Sequence, residues 1–313
     1  MPSLSLAAWA WIPIVVWAAL AQTVRNAAQR SLTSEIGTLG ATLARFLYGL
    51  PLAALWVLGT CTLGDRAGLR PAFGPEYAAW VALGALTQVG ATAFLLRAMQ
   101  ERNFILAVAY SKTEVLQVAL FSSVLLHELP GTVAMAAMLA ATLGVVLLSL
   151  PRRAAARSAA PAEPGSRARM VGFGLASGAC FALASVGFRG ASLALGADVP
   201  PWVAGGWGVL WAQLLQSLAL GGWLAARQPG ALAGLARSWR LSSVAGSMGA
   251  LASIAWFTAY AMRPAAEVRT LGLVEVVFSY LVSRRVFGER LSRNEGLGLL
   301  LVLAGLVGIC LQL

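Results

Sequence analysis

Apolar runs of about 20 residues, the length at which a helix crosses the hydrocarbon core of a bilayer, recur from one end of the chain to the other. Only 11% of the residues are charged, whereas soluble domains average about 25%. These features predict an all-α integral membrane protein that crosses the membrane many times. The ten predicted transmembrane helices are 9–28, 36–58, 77–98, 103–126, 131–150, 170–189, 201–224, 241–261, 266–287 and 294–312.

The net charge of +11 does not indicate nucleic-acid binding, because the arginines lie in short connections between apolar runs rather than in one cluster. Basic residues in such connections are typical of membrane topology signals. Lys112 is the only lysine, and this preference for arginine is typical of a high-GC genome. We therefore expect a multi-pass protein of the bacterial inner (plasma) membrane.

Residues 151–169, "PRRAAARSAAPAEPGSRAR", contain no apolar periodicity and predict a linker between two halves, 1–150 and 170–313. Each half holds five predicted helices, so the second half would enter the membrane from the opposite side. Inverted repeats of this kind are typical of secondary transporters. A shift of 161 positions places Glu114 on Glu275, Val115 on Val276, Glu128 on Glu289, Arg102 on Arg263, Ser122 on Ser283 and Gly144 on Gly305.

Two segments carry a family resemblance. "FGERLSRNEGLGLLLVLAGLVGICL" (287–311) resembles the closing segment of EamA-type proteins of the drug/metabolite transporter (DMT) superfamily, and "LLHELPGTVAMAAMLAATLGVVLL" (125–148) is similar to it, with His127 in place of a glycine. The resemblance implies two inverted five-helix EamA-like repeats and the export of small metabolites. Family members often carry a proline midway along the fourth and ninth helices, where this chain has "KTEV" and "LVEV".

Glu114 lies in the middle of an apolar segment, where a charge costs roughly 2.5–3.5 kcal/mol on insertion scales. On the predicted helix, Tyr110, Glu114, Gln117 and Phe121 share one face, and Lys112 points nearly opposite to it. We predict a polar cavity between the repeats, and the alternative is a set of buried ion pairs that only hold helices together. The predicted substrate-binding or coupling residues are Glu114, Glu275, Lys112, Arg45, Tyr110 and Gln117, and the predicted cavity-lining residues are Trp17, Gln22, Trp211 and Trp256.

These patterns predict a secondary transporter that works by alternating access. Carboxylates and cations in one cavity would suit an amino-acid-like zwitterion, and the same carboxylates would suit a drug-like cation. Protons are the expected coupling ion, because a glutamate in a partly dry cavity can carry one. The alternatives are a non-transporting membrane scaffold and an integral-membrane enzyme, although no catalytic set of residues is evident.

The sequence predicts neither a cofactor nor a metal site. His127 is the only histidine, and Cys61, Cys180 and Cys310 have no ligand spacing. The expected partners are a small-molecule substrate and the lipid bilayer.

Membrane orientation stays open between two expectations. The charge count favours a cytoplasmic linker with both termini outside, because most basic residues, Arg25 among them, fall on the linker side. The family resemblance implies that both termini are inside. The basic residues on the opposite side are Arg66, Arg70, Arg189 and Arg263.

Overall fold

The computed structural model describes residues 9–63, 71–101, 110–148, 166–278 and 293–311, and it contains no strand in these ranges. The chain there is helical, as the apolar pattern predicts. The helices are α1 (Trp11–Leu47), α2 (Leu50–Thr62), α3 (Pro75–Glu101), α4 (Glu114–Leu125), α5 (Thr132–Leu148), α6 (Ser166–Ala194), α7 (Pro201–Arg227), α8 (Pro229–Arg237), α9 (Trp239–Met262), α10 (Ala265–Leu271) and α11 (Arg293–Cys310).

Several helices are long and apolar enough to cross a membrane, which supports the assignment to a membrane protein. Further apolar helices, among them α4 and α5, are shorter. The residues outside the described ranges include parts of the predicted spans 103–126, 131–150, 266–287 and 294–312 and most of the predicted linker. The five membrane-length segments are Ser31–Thr62, Pro75–Leu95, Ala168–Ala194, Pro201–Arg227 and Trp239–Met262.

Gly37 reverses the chain within α1. Its dihedral angles, φ 71° and ψ 173°, are not helical, and glycine adopts this region because it has no Cβ. Gln29 Nε2 donates a hydrogen bond of 3.0 Å to the carbonyl of Ala41, although these residues would lie about 18 Å apart on a continuous helix. The two arms of α1 therefore form an antiparallel hairpin, which separates the first two predicted spans.

The chain forms two compact units. The first comprises Met1–Leu86 and Ala184–Pro264. Here α1 packs against α9 and α7, and Leu32, Leu43 and Leu224 are fully buried in the core.

The second unit comprises Thr87–Leu183 and Ala265–Leu313. Each unit thus includes segments from both halves of the sequence, and the division at 151–169 stays a prediction.

In the second unit, α5 and α11 pack closely through small residues. A methyl group on Gly144 would lie 2.5 Å from the carbonyl oxygen of Gly298, and one on Gly305 would lie 2.6 Å from that of Ala137. The helices are antiparallel, because the later residue of α5, Gly144, meets the earlier residue of α11, Gly298, and Ala137 meets Gly305. The 161-residue shift takes Gly144 to Gly305 and Ala137 to Gly298, so it exchanges these two contacts.

Candidate functional site

Two ion pairs join the segment around α4 to the segment around α10, both within the second unit. Lys112 Nζ lies 3.6 Å from Glu275 Oε2. Arg269 Nη2 donates a hydrogen bond to Glu114 Oε1 in the other pair. Each segment therefore supplies one glutamate and one cation, and each glutamate is paired with the cation of the other segment.

Both segments are interrupted beside these charges. Helical geometry stops at a turn of Lys112–Thr113 before α4, and at a turn of Gly272–Leu273 after α10. The backbone N–H groups of Leu273 and Glu275 bond three residues back, at 3.1 Å each, instead of four. The two breaks fall at nearly matched places, since the 161-residue shift moves Lys112 onto Leu273.

No proline makes the first break, and a threonine side chain supports it instead. Thr113 Oγ1 donates a hydrogen bond of 2.6 Å to the Tyr110 carbonyl and accepts one of 3.0 Å from Gln117 Nε2. Such side-chain hydrogen bonds replace some of the backbone hydrogen bonds that the helix loses at the turn.

The breaks place both glutamates near the start of a helical stretch. Glu114 is the first residue of α4, and Glu275 lies in the helical residues 274–278. A helix N-terminus carries partial positive charge and favours a carboxylate there. This backbone contribution supplements the paired cations in stabilising ionised glutamates inside an apolar segment.

Gly178 of α6 lies directly against the first break. A methyl group at this position would lie 3.0 Å from the Ser111 carbonyl oxygen, 3.2 Å from Gln117 Nε2 and 3.4 Å from Glu114 N. The absence of a side chain at Gly178 therefore lets α6 approach the backbone of the break.

The two ion pairs differ in accessibility. The Glu114 side chain is 4% exposed and that of Arg269 is 14% exposed. The Lys112 and Glu275 side chains are 19% and 15% exposed, and their charged atoms are farther apart than in a tight hydrogen bond. The Lys112–Glu275 pair is thus the looser one, which an incoming ion can reach more easily.

The structure corrects the predicted arrangement around Tyr110. That prediction assumed one continuous helical face through Tyr110, Glu114 and Gln117, but the turn at Lys112–Thr113 lies between Tyr110 and α4. Tyr110 packs instead against a buried cluster that includes Ala98.

The remaining predicted site residues lie in the first unit. Trp256 Nε1 donates a hydrogen bond of 3.2 Å to Gln22 Oε1, so the structure joins these two residues. Trp17 and Trp211 are 50% and 39% exposed. Arg45 is buried, and the cation paired with Glu114 is Arg269 rather than Arg45.

The set of predicted site residues omitted Arg269. A charge balance could have found it, because Lys112 can neutralise only one of the two glutamates. The sequence spacing between Arg269 and Glu275 did not indicate that they belong to one site, because a helix break lies between them.

No group of three or more His, Cys, Asp and Glu side chains in the described ranges could hold a metal ion. Cys61, Cys180 and Cys310 are free and partly buried. The charged site itself consists of two carboxylates, each paired with a cation.

Comparisons with known proteins support the fold. The chain is similar to a crystal structure described only as that of a protein, with a TM-score of 0.67 and 18% identity over 97% of each chain. No protein-family model matches the sequence, and no curated protein matches it. The likeness thus shows that an experimentally determined fold of this kind exists over nearly the full length.

Proposed function

We propose that the chain is an EamA-type secondary transporter of the DMT superfamily, which exports small organic solutes across the bacterial inner membrane. The observation that carries this proposal is the pair of broken helical segments cross-linked by Glu114–Arg269 and Lys112–Glu275. Discontinuous membrane helices are typical of transporter binding sites, and ionisable residues within membrane segments usually serve function.

Ten transmembrane helices in two inverted repeats would be the framework of this transporter. Two observations support the repeat. The 161-residue shift relates Glu114 to Glu275, and it exchanges the contacts that Gly144 and Gly305 make between the antiparallel helices α5 and α11. Alternating access would then follow from movement of one repeat relative to the other.

Glu275 is the carboxylate that we assign to exchange. A proton or the ammonium group of a substrate would compete with Lys112 for Glu275, because this pair is the looser and more accessible one. The ammonium group of an amino-acid-like zwitterion and a drug-like cation would both be able to take the place of Lys112 at Glu275. Glu114–Arg269 would hold the two broken segments together during the exchange.

Flux measurements in proteoliposomes test this function. The purified protein is reconstituted, and uptake of radiolabelled amino acids and of fluorescent lipophilic cations is followed under an imposed pH gradient. We expect gradient-driven flux of at least one solute, which Glu275→Gln abolishes while the protein stays folded. Absence of flux across the whole panel would favour the scaffold or the enzyme, and undiminished flux in Glu275→Gln would remove Glu275 from the coupling role.

A further inference from the structure

Two buried arginines converge on one glycine in the first unit. Arg25 and Arg45 are 7% and 8% exposed. A methyl group on Gly249 of α9 would lie 3.1 Å from Arg45 Cγ and 3.3 Å from Arg25 Cδ. Both side chains therefore cross the same point of α9.

The hairpin in α1 explains this convergence. Gln29 and Ala41 are level with each other across the hairpin, as their hydrogen bond shows. Arg25 and Arg45 lie one helical turn farther from Gly37 on their respective arms, so they are level as well. Gly249 has no side chain to separate them, and two like charges thus lie side by side in the interior, where they repel each other.

Each arginine contacts a neutral group. Arg25 Nε and Nη2 donate hydrogen bonds of 3.2 and 2.7 Å to Asn26 Oδ1. Arg45 Cζ lies 5.1 Å from the centre of the Phe46 ring. Arg45 Nε is buried without a hydrogen-bond partner, and no carboxylate among the residues that the structure describes forms an ion pair with Arg45. A buried guanidinium without an anion is costly, so a bound anion would stabilise Arg45.

We propose that Arg25 and Arg45 together bind the carboxylate group of a solute beside Gly249. A guanidinium presents its N–H donors in a planar fork that matches a carboxylate. Asn26 fixes the orientation of the Arg25 fork, and the buried Arg45 Nε supplies an unused donor. This inference rests on the proposed transport function and selects the zwitterion over the drug-like cation as the substrate class.

Ligand-induced thermal stabilisation of the detergent-solubilised protein tests the site without measuring transport. The probes are the common amino acids, their C-terminal amides, and inorganic phosphate. We expect at least one free amino acid to raise the unfolding temperature by several degrees, while its amide raises it much less. Stabilisation by no free acid, equal stabilisation by acid and amide, or stabilisation by phosphate alone would overturn the carboxylate site.

Variants assign the effect to the arginines. Arg45→Gln should weaken binding of the stabilising acid at least tenfold, and Arg45→Lys should restore part of it. Arg240→Gln serves as a matched control, because Arg240 is an exposed arginine beside Trp239. Unchanged affinity in Arg45→Gln would overturn the proposal.

Gly249→Ala tests the site with both charges retained, so it covers the case in which Arg45→Gln does not fold. The added methyl group would displace both arginine side chains by a few tenths of an ångström, and we expect weaker binding of the acid. Gly221→Ala is its control, because a methyl group there meets only Leu43 at an ordinary 3.7 Å. Equal affinity in these two variants would contradict the proposal.

The site and the transport function can fail separately. Proton-driven flux of cations alone, without acid binding, would retain the transporter and remove the carboxylate site. Acid binding that depends on Arg45, in a protein without flux, would retain the site and remove the transporter.

Discussion

Lys112 Nζ faces Glu275 Oε2 across 3.6 Å, and the helical segments that carry these two residues both break beside them. The second pair, Glu114–Arg269, crosses the same two segments and is less exposed. One pair is thus suited to exchange its partner and the other to hold the segments together.

The difference in exposure between the two ion pairs predicts different effects of removing each carboxylate. Glu114→Gln should destabilise the protein by about 3–5 kcal/mol, because it removes the carboxylate that pairs with the mostly buried side chain of Arg269. Glu275→Gln should cost less than about 2 kcal/mol, since its pair is looser and more accessible to solvent. Thermal unfolding of both variants in detergent measures the difference. Equal stability losses would show that the two pairs have the same role.

The close approach of Gly178 to the first break predicts a steric effect. Gly178→Ala should destabilise the protein by about 1–3 kcal/mol, because the new methyl group would press on the Ser111 carbonyl oxygen 3.0 Å away. Gly172→Ala in the same helix is the control, since a methyl group there would meet nothing within 4 Å. That control should be neutral or slightly stabilising. The comparison requires melting curves for both variants, and a Gly178→Ala protein as stable as the control would contradict the geometry.

The two equivalent contacts between α5 and α11 predict similar losses of stability when Gly144 or Gly305 is replaced by alanine. Gly144→Ala and Gly305→Ala should each destabilise by about 1–3 kcal/mol, because each methyl group would overlap a backbone oxygen of the facing helix. Gly296→Ala in α11 should have little effect, since no atom lies within 4 Å of its added methyl group. Thermal unfolding of the three variants tests this. A penalty at only one of Gly144 and Gly305 would argue against equivalent roles in a repeat.

The reversal at Gly37 predicts a purely conformational effect. Gly37→Ala should cost about 1–3 kcal/mol, because the residue has φ 71° and ψ 173°, a region that is almost restricted to glycine. No atom lies within 4 Å of the added methyl group, so steric contact cannot explain a loss. Gly59→Ala, equally open but helical, should not destabilise. Equal melting temperatures for the two variants would refute the strain argument.

The distribution of basic residues predicts on which side of the membrane the linker and the termini lie. Arg25 and Arg189 are buried, so each is subtracted from the basic residues counted on its side of the membrane. Arg189 Nη1 donates a hydrogen bond of 2.6 Å to the Tyr260 carbonyl. The remaining imbalance still predicts that residues 151–169 lie in the cytoplasm. Reporter fusions to the linker and to the C-terminus should therefore give cytoplasmic and external signals respectively. A cytoplasmic C-terminus would instead match the orientation that the family resemblance implies.

The amino-acid sequence alone was enough to predict a helical protein and to single out Glu114 and Glu275. Long apolar runs leave a helix as the natural way to satisfy backbone hydrogen bonds in lipid. The shift that matches Glu114 to Glu275 needs only the order of residues, and in the structure each of these glutamates pairs with a cation of the other segment.

The partners of those charges could be identified only from the packing of the helices. Arg269 reaches Glu114 because two broken segments cross, and no proline marks either break. Arg25 reads in sequence as a basic residue at the end of a span, but the hairpin at Gly37 and the bare surface of Gly249 bring it beside Arg45. Such pairings depend on how closely separate helices approach, and that distance is set by packing between segments far apart in the chain.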